Sequence, residues 1–157
     1  MIVKVKKLHS DAQLPQRGSD IAAGFDVIAV EDPKIVVDDN TGVVTYVEYR
    51  TGIAIEPPEG YHTELFPRSS VSKYDLVLAN SIGLGDQDYR GEIIFRYKPV
   101  RYKEGGCTTR HLEYCNLYKK GDRIGQIVLR KTEIADMIWA EELSDTNRGS
   151  GGFGSTG

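Results

Sequence analysis

Short segments in which apolar and polar residues alternate recur along this chain and restrict the folds that it can adopt. The clearest are residues 3–6, 43–49, 61–65, 93–97 and 127–129, and in the second of them Val43, Thr45, Val47 and Tyr49 would share one face. Because successive side chains of a strand point to opposite faces of a sheet, this period of two predicts β-strands with one buried face. Turns rich in Gly, Pro, Asn and Asp separate the segments, at residues 39–42, 57–60, 104–106 and 120–122. The pattern therefore predicts an all-β sandwich or barrel.

One short stretch is predicted to be helical. It runs from Ser70 to about Asp75, and Ser69 stands where an N-cap residue is expected. The 157 residues are enough for one domain with its own core, and no internal repeat divides them. We therefore expect a single domain over residues 1–146, followed by a flexible glycine-rich arm over residues 147–157.

Charge and hydropathy exclude several classes of protein. The formal net charge of −3 gives no overall basic field of the kind that nucleic-acid-binding proteins use. No apolar run approaches membrane-spanning length and no signal sequence is evident, so a soluble, cytoplasmic protein without a membrane partner is expected. The two cysteines, Cys107 and Cys115, are too few for a disulfide framework.

Residues 148–157 have a composition that suits a bound anion better than a protein core. Five of these ten residues are glycine, and Phe153 is the one large apolar side chain. Composition alone is typical of a disordered Gly/Ser tail. The same residues could also wrap a ligand, because glycine lets backbone N–H groups turn toward an anion. In that interpretation Arg148 binds phosphate, Ser155 and Thr156 donate hydrogen bonds, and Phe153 stacks on a base.

Five short blocks occur in order along the chain. They are residues 23–27 (AGFDV), 67–70 (PRSS), 80–91 (NSIGLGDQDYRG), 121–126 (GDRIGQ) and the arm with its GGFGST sequence. In this order the blocks resemble the homotrimeric dUTPases, and the resemblance spans nearly the whole chain. It implies a distorted jelly roll with one short helix and three active sites at subunit interfaces, each closed by an arm from another subunit. It also implies hydrolysis of dUTP to dUMP and pyrophosphate, with water attacking the α-phosphorus.

The third block is expected to hold the catalytic base and the nucleoside. Asp86 and Asp88 are both carboxylates that could activate water, and spacing alone does not choose between them. The resemblance chooses Asp86, and it assigns Tyr89 to the deoxyribose, where the ring would block a 2′-hydroxyl. It assigns the hairpin to the uracil edge, through Asn80, Gly83, Leu84, Gly85 and Ile94. Gly85 departs from the family, which usually has isoleucine or a similar residue there.

The remaining blocks are expected to contact the phosphates. Arg68, Ser69 and Ser70 stand at the start of the predicted helix, a favourable place for an anion. Where the family usually has glycine, this chain has Ser70, and the Arg-Ser-Ser form also occurs in the dCTP deaminases of the same fold. A deaminase is therefore an alternative, although residues 86–91 resemble the dUTPase block. The resemblance further assigns Gln126 to a phosphate or hairpin contact, and the arm residues Arg148, Phe153, Gly154, Ser155 and Thr156 to the substrate.

No protein ligand to a metal is required by this interpretation. The resemblance implies Mg²⁺ bound to triphosphate oxygens and waters, with Asp26 supporting the architecture and reaching the ion at most through water. Cys107, His111 and Cys115 would share a face of a helix, but neighbouring glycines and threonines are poor helix formers and a fourth zinc ligand is missing.

Residues 98–119 are longer than the connection usual in this family, and they form an insertion of unknown role. If the insertion docks a partner, the chain could instead be a nucleotide-dependent interaction protein, which is a second alternative.

Overall fold

The computed structural model describes residues 1–100 and 106–152, and they fold mainly as β-strands. The strands are β1 (Lys4–Lys7), β2 (Gln16–Arg17), β3 (Phe25–Ile28), β4 (Lys34–Val37), β5 (Val44–Arg50), β6 (Ile53–Glu56), β7 (Tyr61–Phe66), β8 (Leu76–Leu78), β9 (Gly83–Gly85), β10 (Ile94–Pro99) and β11 (Arg123–Lys131). This confirms the predicted all-β class. All five alternating segments contribute to strands.

The strands form three antiparallel sheets. One sheet has four strands in the order β4-β5-β10-β8, another has five in the order β2-β3-β11-β7-β9, and β1 pairs with β6. In the five-stranded sheet the long strand β11 pairs with β3 on one side and with β7 on the other. Strands distant in sequence therefore become neighbours, as in the jelly roll that the sequence predicted.

The two larger sheets pack against each other around an aromatic core. Phe95 and Tyr97 of β10 are completely buried, as is Ile124 of β11 on the opposite sheet. The Tyr97 hydroxyl donates a hydrogen bond to the Ile124 carbonyl (2.6 Å), so the core hydroxyl has a partner. Gly125 faces the Phe95 ring so closely that a Cβ atom there would collide with it. The two sheets can approach this closely only because residue 125 has no side chain.

Strand β5 departs from the predicted alternation in its first half. Val37 pairs with Val44 and Val36 pairs with Tyr46, so Thr45 is an extra residue in a bulge. Val44 is buried and Thr45 is exposed, whereas the sequence had placed Thr45 on the same face as Val47. The predicted face is therefore wrong before the bulge and right after it.

Both short helices differ from the prediction in detail. The helical stretch is a 3₁₀ helix over Ser69–Lys73, and its N-cap is Arg68, which makes no side-chain cap bond. Ser69 is thus the first residue of the helix and was wrongly predicted as its cap. The reason is that Arg68, with φ −80° and ψ 156°, is the last extended residue. A second helix, α1 (Thr109–Leu112), lies within residues 98–119, where glycines and threonines had argued against one.

After β11 the chain leaves the body of the domain. Residues 133–150 are all exposed, and they contain no regular secondary structure. Five of their side chains are large and apolar, and each is at least 86% exposed: Ile134, Met137, Ile138, Trp139 and Leu143. Within the described residues, no helix is long and apolar enough to cross a membrane.

Candidate active site

A cavity of about 530 Å³ is lined mainly by the segment from β8 to β10. Tyr46 of β5 and Leu65 of β7 also line it. Its lining contains the six residues of the hairpin region that were predicted to contact the nucleoside: Asn80, Gly83, Leu84, Gly85, Tyr89 and Ile94. The walls are completed by Tyr46, Leu65, Leu78, Ala79, Glu92, Ile93, Phe95 and Arg96. The sequence therefore identified the residues of one concave surface, which is the usual form of a small-molecule site.

The hairpin backbone is held in an unusual conformation at the edge of this cavity. Ser81 has a φ of 60°, a left-handed conformation that is uncommon for residues other than glycine. The Ile82 N–H donates to the Asn80 carbonyl at 2.6 Å, which closes a tight turn around Ser81. Strained backbone of this kind often occurs at binding sites. Here it turns the chain from Asn80 into β9 along the cavity.

Thr63 explains why Gly85 has no side chain. Thr63 is almost completely buried on β7, and its hydroxyl donates to the Gly85 carbonyl at 3.2 Å. A Cβ atom on Gly85 would collide with that hydroxyl oxygen. Thr63 therefore fills the space that a larger residue at position 85 would need. This interlocking accounts for the departure from the usual isoleucine.

Tyr89 lies at the mouth of the cavity and is fixed by the residues that follow it. Its side chain is half-exposed, and its hydroxyl donates to the Glu92 carbonyl at 3.1 Å. The ring packs so closely over Gly91 that a Cβ atom there would overlap it. The ring thus has one defined position, which a group acting by exclusion requires.

Asp86 comes directly after β9, so it borders the cavity through its neighbour Gly85. Its side chain is exposed, and so is that of Asp88. The Tyr89 N–H donates to the Asp86 carbonyl at 3.1 Å, so residues 86–89 form a turn with Asp88 farther along it. Asp88 likewise precedes a lining residue, Tyr89, so adjacency to the cavity does not separate the two carboxylates.

Two side chains brace this turn, and sequence reasoning did not identify either. The Gly60 N–H donates to Gln87 Oε1 at 3.0 Å, which ties the turn to the loop between β6 and β7. Arg90 Nη1 donates to the carbonyls of Gln87 (2.6 Å) and Tyr89 (3.0 Å). The contact of Gln87 joins residues that are 27 positions apart, and the contacts of Arg90 lie within the turn. No residue pattern in the sequence indicated them.

A second polar group surrounds the start of the 3₁₀ helix. Arg68 Nε donates to Asp26 Oδ1 at 2.8 Å, and Arg123 Nη1 donates to the other oxygen of that carboxylate at 3.2 Å. Arg68 Nη1 also donates to the Ser70 hydroxyl at 3.3 Å. Asp26 is only 14% exposed, whereas Arg123 is 57% exposed. The carboxylate therefore orients two cations at one surface, and Arg68 is held next to Ser70.

Gln126 connects three of the sequence blocks. On β11 it pairs with Asp26 of β3 and with Phe66 of β7, and its side-chain Nε2 donates to the Pro67 carbonyl at 3.2 Å. The Cβ position of Gly24 lies against Gln126 Oε1, so a side chain at residue 24 would displace the Gln126 amide from this place. Gln126 is not among the residues that line the cavity. Its contact is with the turn that carries Arg68.

The arm is described only as far as residue 152. Arg148 Nε donates to the Gly151 carbonyl at 2.7 Å, a contact within the arm itself. Arg148 does not line the cavity of its own chain. The predicted arm residues Phe153, Gly154, Ser155 and Thr156 lie outside the described residues.

The cysteine and histidine residues near α1 are used for structure. The Thr108 N–H donates to His111 Nδ1 at 3.2 Å, which completes a capping box at the start of α1. Cys107 is buried in the core, and burial raises the pKa of its thiol. Within residues 1–100 and 106–152, no group of three or more His, Cys, Asp or Glu side chains is placed to hold a metal ion.

Tyrosines pack beneath the Arg68 turn. Tyr118 is buried, and its ring stacks on Tyr74 with centroids 3.8 Å apart. Burial raises the pKa of Tyr118 to about 12. Among the described residues its hydroxyl has no hydrogen-bond partner within normal geometry, and the same holds for Tyr49. These rings form a rigid apolar layer between the core and the turn.

Comparison with known proteins gives consistent results. The family model for dUTPase matches residues 10–107 and 116–157, leaving out 108–115, the segment that contains α1. The deoxyuridine 5'-triphosphate nucleotidohydrolase of Paramecium bursaria Chlorella virus 1 is 42% identical over 98% of this chain and 96% of that protein. The enzyme of the same name from Hydrogenobaculum sp. (strain Y04AAS1) is 38% identical over 100% and 99%. A dUTPase of Staphylococcus bacteriophage 80alpha, solved with dUpNHpp, superposes with a TM-score of 0.77 at 26% identity, covering 99% of this chain and 98% of that one.

Proposed function

This chain belongs to the dUTPase family and hydrolyses dUTP to dUMP and pyrophosphate, and we propose that the 530 Å³ cavity binds the deoxyuridine. The observation that carries the proposal is that the six nucleoside contacts predicted from the hairpin region line this one cavity, with Asp86 next to it. The backbone around Gly83 and Gly85 would supply donors and acceptors to the uracil edge. Tyr89, held in one position over Gly91, would exclude a 2′-hydroxyl. A cytoplasmic location, expected from the sequence, stays a prediction.

Asp86 is proposed to orient and deprotonate the water that attacks the α-phosphorus. A carboxylate at the edge of the nucleoside cavity stands where the first phosphate of a bound nucleotide would emerge. Its turn is braced by Gln87 and Arg90, so the carboxylate would need little reorganisation during the reaction. The attack breaks the bond between the α-phosphorus and the bridging oxygen, and pyrophosphate leaves with that oxygen. Asp88, which directly precedes the lining residue Tyr89, is the other candidate, and the resemblance to the family favours Asp86 over it.

The Arg68 turn is proposed to bind the triphosphate. Arg68 and Ser70 are hydrogen-bonded to each other, and the Ser69 side chain is exposed at the start of the 3₁₀ helix. Because Asp26 accepts from Arg68 and Arg123 with both oxygens, we propose that it orients these cations and does not reach Mg²⁺. Gln126 would fix the same turn through the Pro67 carbonyl.

Mg²⁺ is proposed to enter as a companion of the substrate. The described carboxylates form no cluster that could hold the ion, so triphosphate oxygens and waters would supply its ligands. When bound, the ion neutralises part of the phosphate charge. The protein's own contribution is the pair of cations oriented by Asp26, together with the cations and donors of the arm.

The active unit is proposed to be a homotrimer with shared sites. Residues 133–150 are exposed along their whole length and contain five large apolar side chains. Such a segment on a single chain favours burial against another subunit. We propose that each arm reaches a neighbouring subunit, where Arg148 binds the phosphates, Phe153 stacks on the uracil, and Gly154, Ser155 and Thr156 complete the closure.

A substrate panel tests the activity and the base together. Pyrophosphate release is measured with dUTP, UTP, dTTP and dCTP for the wild type, Asp86→Asn and the matched control Asp88→Asn. We expect selective hydrolysis of dUTP, a loss of roughly 10²–10⁴-fold in Asp86→Asn, and a much smaller loss in Asp88→Asn. Comparable rates on UTP and dUTP would contradict the role of Tyr89. Release of ammonia from dCTP would favour a deaminase, and no turnover of any nucleotide would favour an interaction protein.

Subunit mixing tests the shared site. A chain that lacks residues 148–157 is mixed with full-length Asp86→Asn under conditions in which subunits exchange. If an arm closes the site of a neighbour, mixed trimers recover activity that neither parent has. Proven exchange without recovery would mean that each arm closes the site of its own chain. Light scattering measures the assembly independently, with three times 17.5 kDa expected.

A further inference from the structure

The segment 106–119, which contains the residues 108–115 that the family model leaves out, is hydrogen-bonded to the end of the 3₁₀ helix. Asn116 Nδ2 donates to the Lys73 carbonyl at 2.6 Å, and the Asn116 N–H donates to Asp75 Oδ2 at 2.9 Å. In return the Asp75 N–H donates to the Asn116 carbonyl at 3.2 Å. Three hydrogen bonds thus join Asn116, at the end of this segment, to the residues that leave the Arg68 turn.

The 3₁₀ helix has few other attachments. None of its five residues is fully buried, and Val71 is the one that packs partly against the core. At its start, Arg68 is held by Asp26 and Ser70, as described above. At its end, Asn116 bonds to Lys73 and Asp75, and the Val100 N–H donates to the Asp75 carbonyl at 3.0 Å. A five-residue helix fixed at both ends moves as a unit, so a change at Lys73 is transmitted to Ser69 and Ser70.

Stacking adds a second contact between the insertion and this turn. Tyr118, two residues after Asn116, is 1% exposed and stacks on Tyr74, the C-cap of the 3₁₀ helix. The same segment also contacts β5 of the four-stranded sheet, because the Val44 N–H donates to the Cys107 carbonyl at 2.6 Å. Residues 106–119 therefore connect β5 of the four-stranded sheet to the turn that bears the phosphate-binding residues.

We propose that the segment 106–119 supports the phosphate-binding turn, and that Asn116 is a positioning residue for Arg68, Ser69 and Ser70. This proposal rests on the proposed function, since it assumes that the turn binds the triphosphate. Asn116 touches no substrate. It acts through its hydrogen bonds to the Lys73 carbonyl and the Asp75 carboxylate. Through them it fixes the orientation of the Ser69 and Ser70 hydroxyls and of the Arg68 guanidinium.

The test compares inhibition by the two products. Inorganic pyrophosphate should need the Arg68 turn, whereas dUMP is held mainly by the nucleoside cavity. In Asn116→Ala, which removes the bond to Lys73, we expect the Ki for pyrophosphate and the KM for dUTP to rise roughly 3- to 10-fold. The Ki for dUMP should change less than about twofold. Asn116→Asp keeps the size but sets a carboxylate against the Lys73 carbonyl, so its effect should be larger.

The matched control is Glu113→Ala, an exposed residue of the same insertion. Its inhibition constants should equal those of the wild type. The inference is overturned if pyrophosphate and dUMP weaken equally in both Asn116 variants, or if neither inhibitor is affected. Failure of both variants to fold, while Glu113→Ala folds, would assign Asn116 to global stability and also overturn it. If the wild type releases no pyrophosphate from dUTP, the proposed function itself fails, which is a separate outcome.

Discussion

Glu92→Gln tests whether one carboxylate fixes the corner between β5 and β6 beside the cavity. The Glu92 side chain is 11% exposed. One oxygen accepts from Nε and Nη2 of Arg50, and the other accepts from the Gly52 N–H at 2.8 Å. Glutamine has the same shape but only one acceptor oxygen. Whichever way the amide turns, its NH₂ group faces another donor.

The expected loss of stability in Glu92→Gln depends on how exposed the hydrogen-bond partners of Glu92 are. A hydrogen bond to a charged group contributes about 1.5–3 kcal/mol when sheltered. Arg50 is 44% exposed, so its share is reduced by solvent to roughly 0.5–1 kcal/mol. The Gly52 bond is more sheltered. Losing one of the two interactions and the charge should therefore lower the free energy of unfolding by about 1–2 kcal/mol, or Tm by roughly 2–8 °C in a chain of this size.

The measurement is chemical and thermal unfolding followed by circular dichroism at one fixed protein concentration. Glu48→Gln is the matched control, because Glu48 is 12% exposed but has, among the residues that the structure describes, a single ion pair, at 2.8 Å, to Arg96, which is 53% exposed. That pair should contribute about 0–1 kcal/mol. The difference between the two variants removes effects common to any Glu-to-Gln change.

Equal losses in Glu92→Gln and Glu48→Gln would refute the argument. They would show that the number of acceptor bonds at a nearly buried carboxylate does not determine its contribution. A stable Glu92→Gln with unchanged unfolding would have the same meaning. Since the Tyr89 hydroxyl bonds to the backbone carbonyl of Glu92, the substitution should reduce dUTP turnover far less than Asp86→Asn does.

Three further predictions concern packing and pH. Gly125→Val should lower the free energy of unfolding by about 1–3 kcal/mol or more in urea titrations, because the new side chain overlaps Phe95. Gly85→Ala should destabilise less in a Thr63→Ala background than alone, with a coupling of roughly 0.5–3 kcal/mol in a double-mutant cycle, and additive effects would contradict the interlocking. Burial raises the pKa of Tyr118 from 10.0 to about 12, so its contribution to stability is complete below pH 10 and is lost as the pH rises through 12. Tyr118→Phe should therefore flatten the alkaline loss measured between these pH values.

Strands were predicted where a single property, the alternation of apolar residues, determined them. Tyr61–Phe66 and Ile94–Pro99 follow the period of two and were identified from it. The bulge at Thr45 was missed because alternation assumes one residue per pairing position. Helix α1 was missed because its stability comes from the Thr108–His111 capping box and burial of Leu112, and intrinsic propensity carries little of it.

The residues of the candidate site also fall into a group that the sequence predicted and a group that it did not. The residues that touch the substrate in the proposal occur in short contiguous blocks, so their sequence resemblance located the cavity. The residues that hold them are scattered: Gln87 meets Gly60, and Asn116 meets Lys73 from 43 residues away. Such pairs depend on which strands become neighbours. The alternating pattern predicts that strands exist and does not give their order.

The exposed segment after β11 contains an optical reporter. Trp139 is the chain's one tryptophan, and its side chain is fully exposed in the isolated subunit. Indole emission shifts to shorter wavelength when water is excluded from the ring, so the whole tryptophan fluorescence of this protein originates from the segment that would contact a neighbour. Subunit assembly can thus be followed by dilution in an unlabelled sample, without a contribution from the core, whose aromatic residues are tyrosine and phenylalanine.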